Sequence, residues 1–371
     1  MGNNSGNNRP SFWDFILSLF GFLKPSGGST TPTPPPQPTP PQPSQPPQPS
    51  QPPAIPVPAV QIPADNTTEP VRMVTSRVLL VIYNPVMDPA TGMTLIQTMN
   101  WNDPDMLANT FIQDILETSA GLARYQIAQR VELNEFPALT DGFRYDPASF
   151  LAVMNKSQAA HQPEYADYQA LLAGLNVVPR ITSREIDEVW LMGFPQAGFY
   201  ESTMCGAGAF WCNSQPQAWS AGCSRRFVVM GFSSERGVGE MIHSFGHRTE
   251  SILTQTFAKT QGSANLYNQF ALYDKVSPGD AEMGTIHFPP NAESDYDYNN
   301  PRKVLSNCYD WDNFPAFKND VRLVNADEWG NGDLRILHKW WLNHLPKVAG
   351  RTSGVVNNWW QYTLDPNLVN L

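Results

Sequence analysis

Two histidines four residues apart, His243 and His247, stand in the stretch GVGEMIHSFGHRTES (237–251), with Glu240 before them and Glu250 after. At about 100° per residue, a helix would put these four side chains on one arc, with Val238, Met241, Phe245 and Ile252 opposite. Imidazoles one helical turn apart are what a metal ion needs of two ligands from one helix. Glu240, one turn before His243, is the candidate base, and Glu250, three residues past His247, is a candidate for the third ligand or for work on a bound water. Off the helix, His287 is the other third-ligand candidate, set in HFPPNAESDYDYNNP (287–301) with Asp295 and Asp297 close by in sequence. A competing reading needs no metal: Glu240/His243 and His247/Glu250 are also ordinary i,i+3 pairs on a solvated or internally hydrogen-bonded face.

HSFGH, at 243–247, resembles the HEFGH form of the zincin metallopeptidase motif. That resemblance implies zinc on His243 and His247, with a carboxylate after the first histidine activating water. Here that position is Ser244, whose hydroxyl cannot serve as the carboxylate base. Metzincins place a third histidine six residues after the second, and here that position is Leu253. A larger set, DEVWLMGFP, RRFVVMGF-SERGVGE, FGHRTES and HKWWLNHLP, resembles a family of uncharacterised exported bacterial proteins, and no activity comes with it.

Other chemistries have weaker signals. Asp295-x-Asp297-x-Asn299 opens like a calcium loop, but its sixth position is Asn300 and its twelfth Ser306, so a capped polar turn is the expectation. Ser233 and Ser234 lie in GFSSERG, not in a G-x-S-x-G elbow, and neither G-x-G-x-x-G nor a P-loop occurs. Cys205, Cys212, Cys223 and Cys308 fit no C-x-x-C pattern; they are either two bridges, if the chain is exported, or buried thiols.

The elements that would position the histidines follow from hydrophobic pattern. Arg77 to Tyr83, Glu188 to Gly193 and Arg226 to Phe232 read as buried strands, with Tyr125 to Leu133 as another. Helices are expected over Pro104 to Leu122, Glu164 to Leu175, Glu240 to Leu253, Ala264 to Lys275 and Asp333 to His344. The irregular, glycine-containing segment from Pro195 to Cys223 is long enough for a functional loop. The fold expected is a single α/β or α+β domain over 71–371, a small mixed sheet packed by helices with a zincin-like active helix.

Before it, 1–24 holds an apolar run, Phe12 to Leu23, of signal-peptide length and too short to span a bilayer alone; an atypical signal or a membrane-associating anchor is expected. The linker, 25–70, carries about half of the chain's 35 prolines and reads as an extended tether. A formal charge of −10 without basic clusters disfavours nucleic acid. Together these predict an exported, surface-tethered zinc-dependent hydrolase acting on peptide or glycan. The alternative is a non-catalytic surface module whose tryptophans at Trp329, Trp340, Trp341, Trp359 and Trp360 stack on polysaccharide.

Overall fold

The computed structural model describes residues 64–66 and 68–371, so the expectations for Phe12 to Leu23 and for most of the Pro-rich linker fall outside the described residues. The fold is mixed α/β. Its central sheet has five strands, β1 (Val74–Tyr83), β2 (Ala123–Leu133), β3 (Glu188–Gly193), β4 (Ser202–Cys205) and β5 (Phe227–Ser233), in the order β2-β1-β3-β5-β4. The first four in that order are parallel, and β4 closes the edge antiparallel to β5. Parallel neighbours need a long crossover. Helix α1 (Pro104–Thr118) supplies the one from β1 to β2; Pro104 opens it, and the Asp103 side chain caps it by accepting from the Met106 N–H at 2.8 Å.

Both faces of the inner strands are covered, which is why β1, β3 and β5 read as near-continuous apolar runs, while the edge strand β2 is largely exposed. Leu79, Val81, Leu191 and Val229 pack with Phe136, Phe150 and Leu172 on one side. On the other, Leu80, Ile82, Trp190 and Met230 meet α1 and helix α2 (Val238–Thr256), whose Met241, Phe245 and Ile252 face the sheet. Helix α3 (Leu334–Asn343) packs along α2 and covers its far side. As a result every residue of α2 from Met241 to Leu253 is buried, and the solvated-face reading of the histidine arc is overturned.

Several expected elements changed length. α1 stops at Thr118 instead of Leu122, because Ala120 and Gly121 take positive φ. Asp167 and Asn265 cap shorter helices, Tyr168–Gly174 and Leu266–Phe270, inside the segments expected to be helical over longer spans. Strand pairing also reaches back before residue 71: Ala64–Asn66 pairs with Lys347–Thr352, which forms a hairpin with Val355–Asn358.

Two further expectations are corrected by burial. The four cysteines are free and buried, and none is bridged. Trp329, Trp341, Trp359 and Trp360 are core residues and Trp340 is only partly exposed, so the aromatic faces required for stacking on polysaccharide are turned inward. Among the described residues no helix is long and apolar enough to cross a membrane.

Glu282 sits at the root of the segment that carries His287. Burial pushes its carboxyl up to about 7, against hydrogen bonds donated by Gln269 at 3.2 Å and Trp311 at 2.9 Å. A carboxyl raised in the folded state contributes stability that is fully present below its unfolded value and is lost as pH rises through the folded one. Glu282→Gln is therefore expected to stabilise the protein relative to the parent above pH 7, by roughly 1–3 kcal/mol, with the advantage fading towards pH 4.5. Urea midpoints of both proteins across pH 4–8 check this.

Candidate metal centre

Three imidazoles converge at the middle of α2. His247 Nε2 lies 3.1 Å from His243 Nε2 and 3.0 Å from His287 Nε2, and the last two are 3.3 Å apart. All three residues are buried, and the group could hold a metal ion. Ligand nitrogens about 2.0–2.1 Å from a tetrahedral zinc stand roughly 3.3 Å from each other, so the triangle is close to the size of three zinc ligands.

The outer nitrogens of two rings fix how their inner nitrogens point. His247 Nδ1 is 2.8 Å from Glu250 Oε2, and His287 Nδ1 is 2.8 Å from Asp295 Oδ1. A carboxylate only accepts, so each Nδ1 carries the proton and each neutral ring turns an Nε2 lone pair inward. Two lone pairs at this distance repel unless a proton or a metal ion lies between them. Burial first, and then the neighbouring imidazoles, hold His243 far below the ordinary imidazole range and push His287 down to about 4. Burial lowers His247 as well, but the Glu250 hydrogen bond and charge outweigh it and the balance is raised.

Chain geometry brings His287 to the helix. A Cβ on Gly246 would come within 2.2 Å of Ile286 Cδ1, so a larger residue there would displace the Ile286 side chain that packs on α2 next to His287. That segment is clamped from both sides. The Ile286 N–H donates to Glu250 Oε1 at 2.9 Å, while from α3 the Trp341 indole N–H donates to the Gly284 carbonyl at 3.0 Å. His338, also on α3, sets its Nε2 3.2 Å from the Ile286 carbonyl and its ring 4.9 Å from that of His243. Tyr296, held at a φ of 57°, sets its ring 4.0 Å from that of His287.

The residues singled out from the sequence therefore separate into groups. His243, His247 and His287 come together; Glu250 stands behind His247 with both oxygens engaged, one by that ring and one by the backbone of Ile286. Glu240 lies outside the triangle, partly exposed and 3.3 Å from Arg236. Asp297 accepts from the Glu293 N–H and from Asn300 Nδ2, which makes its stretch a capped polar turn. Replacing Glu250 by Gln leaves one acceptor for two donors. The expected result is a 10–100-fold loss of zinc affinity with the fold retained, measurable by competition with a chromophoric chelator.

A cavity of about 430 Å³ lies outside the ends of β3 and β5 and along the first turns of α2, lined on the helix by residues that flank His243 in sequence. Ser244, Met241 and Glu240 form its helix side, and Glu201, Glu164 and Phe199 lie across from them. Sequence reasoning missed Glu201 and gave Asp295 no role at His287. The signal for Glu201 was its place in the long loop-like segment between two buried strands.

No protein-family model matches the chain, and neither a curated protein nor a solved structure matches it.

Proposed function

We propose that this chain is a zinc-dependent amide hydrolase of the zincin kind. His243, His247 and His287 hold the ion, and a water at the remaining position attacks a peptide carbonyl. The observation that carries this reading is the inward convergence of three buried Nε2 atoms within 3.3 Å, two of them with their outer nitrogens anchored on carboxylates. Three protein ligands leave a tetrahedral ion one open position, the arrangement of catalytic rather than structural zinc. Neutral imidazole donors favour zinc over magnesium or calcium, which prefer oxygen.

Bound zinc supplies two things: it lowers the pKa of water to about 7 and it polarises a carbonyl. The chain supplies the rest. Glu250 and Asp295 fix the tautomers of His247 and His287, α3 shields the back of the site, and the cavity beside Ser244 gives a substrate access. An amide fits such a centre better than a glycosidic bond, whose hydrolysis ordinarily calls for a pair of carboxyl groups flanking the scissile bond. The alternative of a polysaccharide-binding module loses its support with the burial of the C-terminal tryptophans. The exported, tethered placement rests on the N-terminal sequence alone.

The test is cleavage of a defined peptide mixture, read by mass spectrometry, by zinc-loaded and chelator-stripped protein. Cleavage is expected only in the loaded sample and not in a His243→Ala/His247→Ala variant. A loaded protein that cuts no bond would overturn the hydrolase reading.

A further inference from the structure

The geometry points to Glu201 as the general base, a carboxylate delivered from the sheet into the space that Ser244 leaves on the helix. This rests on the hydrolase reading above and supplies the group that reading lacks. The Ser244 hydroxyl donates to the Glu240 carbonyl one turn back at 3.0 Å, so the residue after the first histidine brings no base and its small side chain lines the cavity instead. Glu201 lines the same cavity.

Its position is fixed at both ends. The Gly231 N–H of β5 donates to the Glu201 carbonyl at 3.1 Å, and a Cβ on Gly231 would come within 2.3 Å of the Tyr200 carbonyl, so glycine permits that close approach. Beyond the backbone, Asn213 Nδ2 donates to Glu201 Oε2 at 2.6 Å, while the Asn213 N–H donates to Ser251 Oγ at 3.1 Å. Ser244, His247 and Ser251 are spaced i, i+3 and i+7, one stripe of α2. Asn213 thus ties the Glu201 carboxylate to the stripe that includes a metal ligand. The other acids are less suited: Glu250 has both oxygens engaged, and Glu240 faces Arg236.

In the step assigned to it, Glu201 takes a proton from the metal-bound water as that oxygen bonds to the amide carbon. It returns this proton to the amine nitrogen as the C–N bond breaks. One water is consumed and the carboxylate is regenerated.

The experiment compares full-length Glu201→Gln, Glu201→Asp and Glu240→Gln with the parent, each loaded with zinc for cleavage and with cobalt for spectroscopy. Glu201→Gln is expected to keep one metal per chain and to lose 10²–10⁴-fold in kcat with little change in KM; Glu201→Asp is expected to recover part of the rate. Acetohydroxamate, a metal chelator whose hydroxyl would donate to the same carboxylate, should bind cobalt-loaded Glu201→Gln at least tenfold more weakly than the parent. This arm needs no substrate. Parental kcat and acetohydroxamate affinity in Glu201→Gln, or the same losses in Glu240→Gln instead, would overturn the assignment. Failure of the parent to cleave peptides while the acetohydroxamate difference persists would sink the hydrolase reading but leave Glu201 facing the metal-bound ligand. A parent that takes up no metal would sink both.

Discussion

A His247→Ala variant will fail to retain zinc through dialysis, while the parent keeps one ion per chain. His247 is the pivot of the triangle, the nitrogen nearest to both partners at 3.1 and 3.0 Å, and its outer nitrogen is the one anchored on a fully buried carboxylate. Four-ligand protein zinc sites bind with about 10–16 kcal/mol, so one ligand corresponds to roughly 3–4 kcal/mol, or a 10²–10³-fold loss of affinity. The structural effect adds to this. Without the His247 ring, Glu250 keeps only its bond from the Ile286 N–H and a buried charge loses a partner. His287→Ala should weaken zinc by a similar factor with less harm to stability, because Asp295 is half exposed and can be hydrated. Metal analysis after dialysis, with thermal melts of the same samples, checks both variants. Full zinc retention by His247→Ala would place the metal elsewhere.

The largest stability effect is expected at Arg248, the residue after that histidine, which turns toward the sheet. Its guanidinium is fully buried and makes a two-pronged ion pair with Glu188 of β3, both contacts at 2.9 Å, and its Nε donates to the Thr363 carbonyl at 3.0 Å. The Glu188 carboxylate also accepts from Ser76 and from the Trp190 indole. This pair joins α2 to the centre of the sheet. Arg248→Met would leave Glu188 charged in the core with two neutral donors, at a cost of about 3–5 kcal/mol. Adding Glu188→Met should recover most of that loss, because a buried ion pair and a well-packed apolar pair of similar volume differ little. Denaturant midpoints of the parent, the single variant and the double variant separate the pair's contribution from simple packing. An Arg248→Met variant within 1 kcal/mol of the parent would contradict this account.

Arg248 also shows where the sequence stops being informative. Nothing local reveals that its charge turns into the sheet to meet Glu188, or that His243, His247 and Glu250, which read as one wet side, are covered by α3 and the Gly284–His287 segment. The histidine pair could be found because both members lie on one turn of one helix. His287 could be named only as a member of a histidine- and aspartate-containing loop; what brings it to the pair is the packing of Ile286 on Gly246 and the clamp on the Ile286 backbone, both long-range contacts. Three of the four parallel strands, β1, β3 and β5, were visible as apolar runs because both sheet faces are buried there, whereas β2 lies at the edge and is largely exposed. Strand β4 is four residues long and Glu201 precedes it in an irregular segment, so neither periodicity nor motif marks them. Conversely, the tryptophan pairs stood out in the sequence, and Trp341, Trp359 and Trp360 proved to be core while Trp340 packs partly buried against it.

The central claim is that three imidazoles from α2 and the His287 segment bind one metal ion with a position left open. Zinc X-ray absorption on the purified, zinc-loaded protein tests it most directly. The account predicts three imidazole nitrogens at about 2.0–2.1 Å plus one light oxygen ligand, with one zinc per chain. A sulfur shell near 2.3 Å, a shell of oxygens without imidazole scattering, or no retained zinc at all would contradict it.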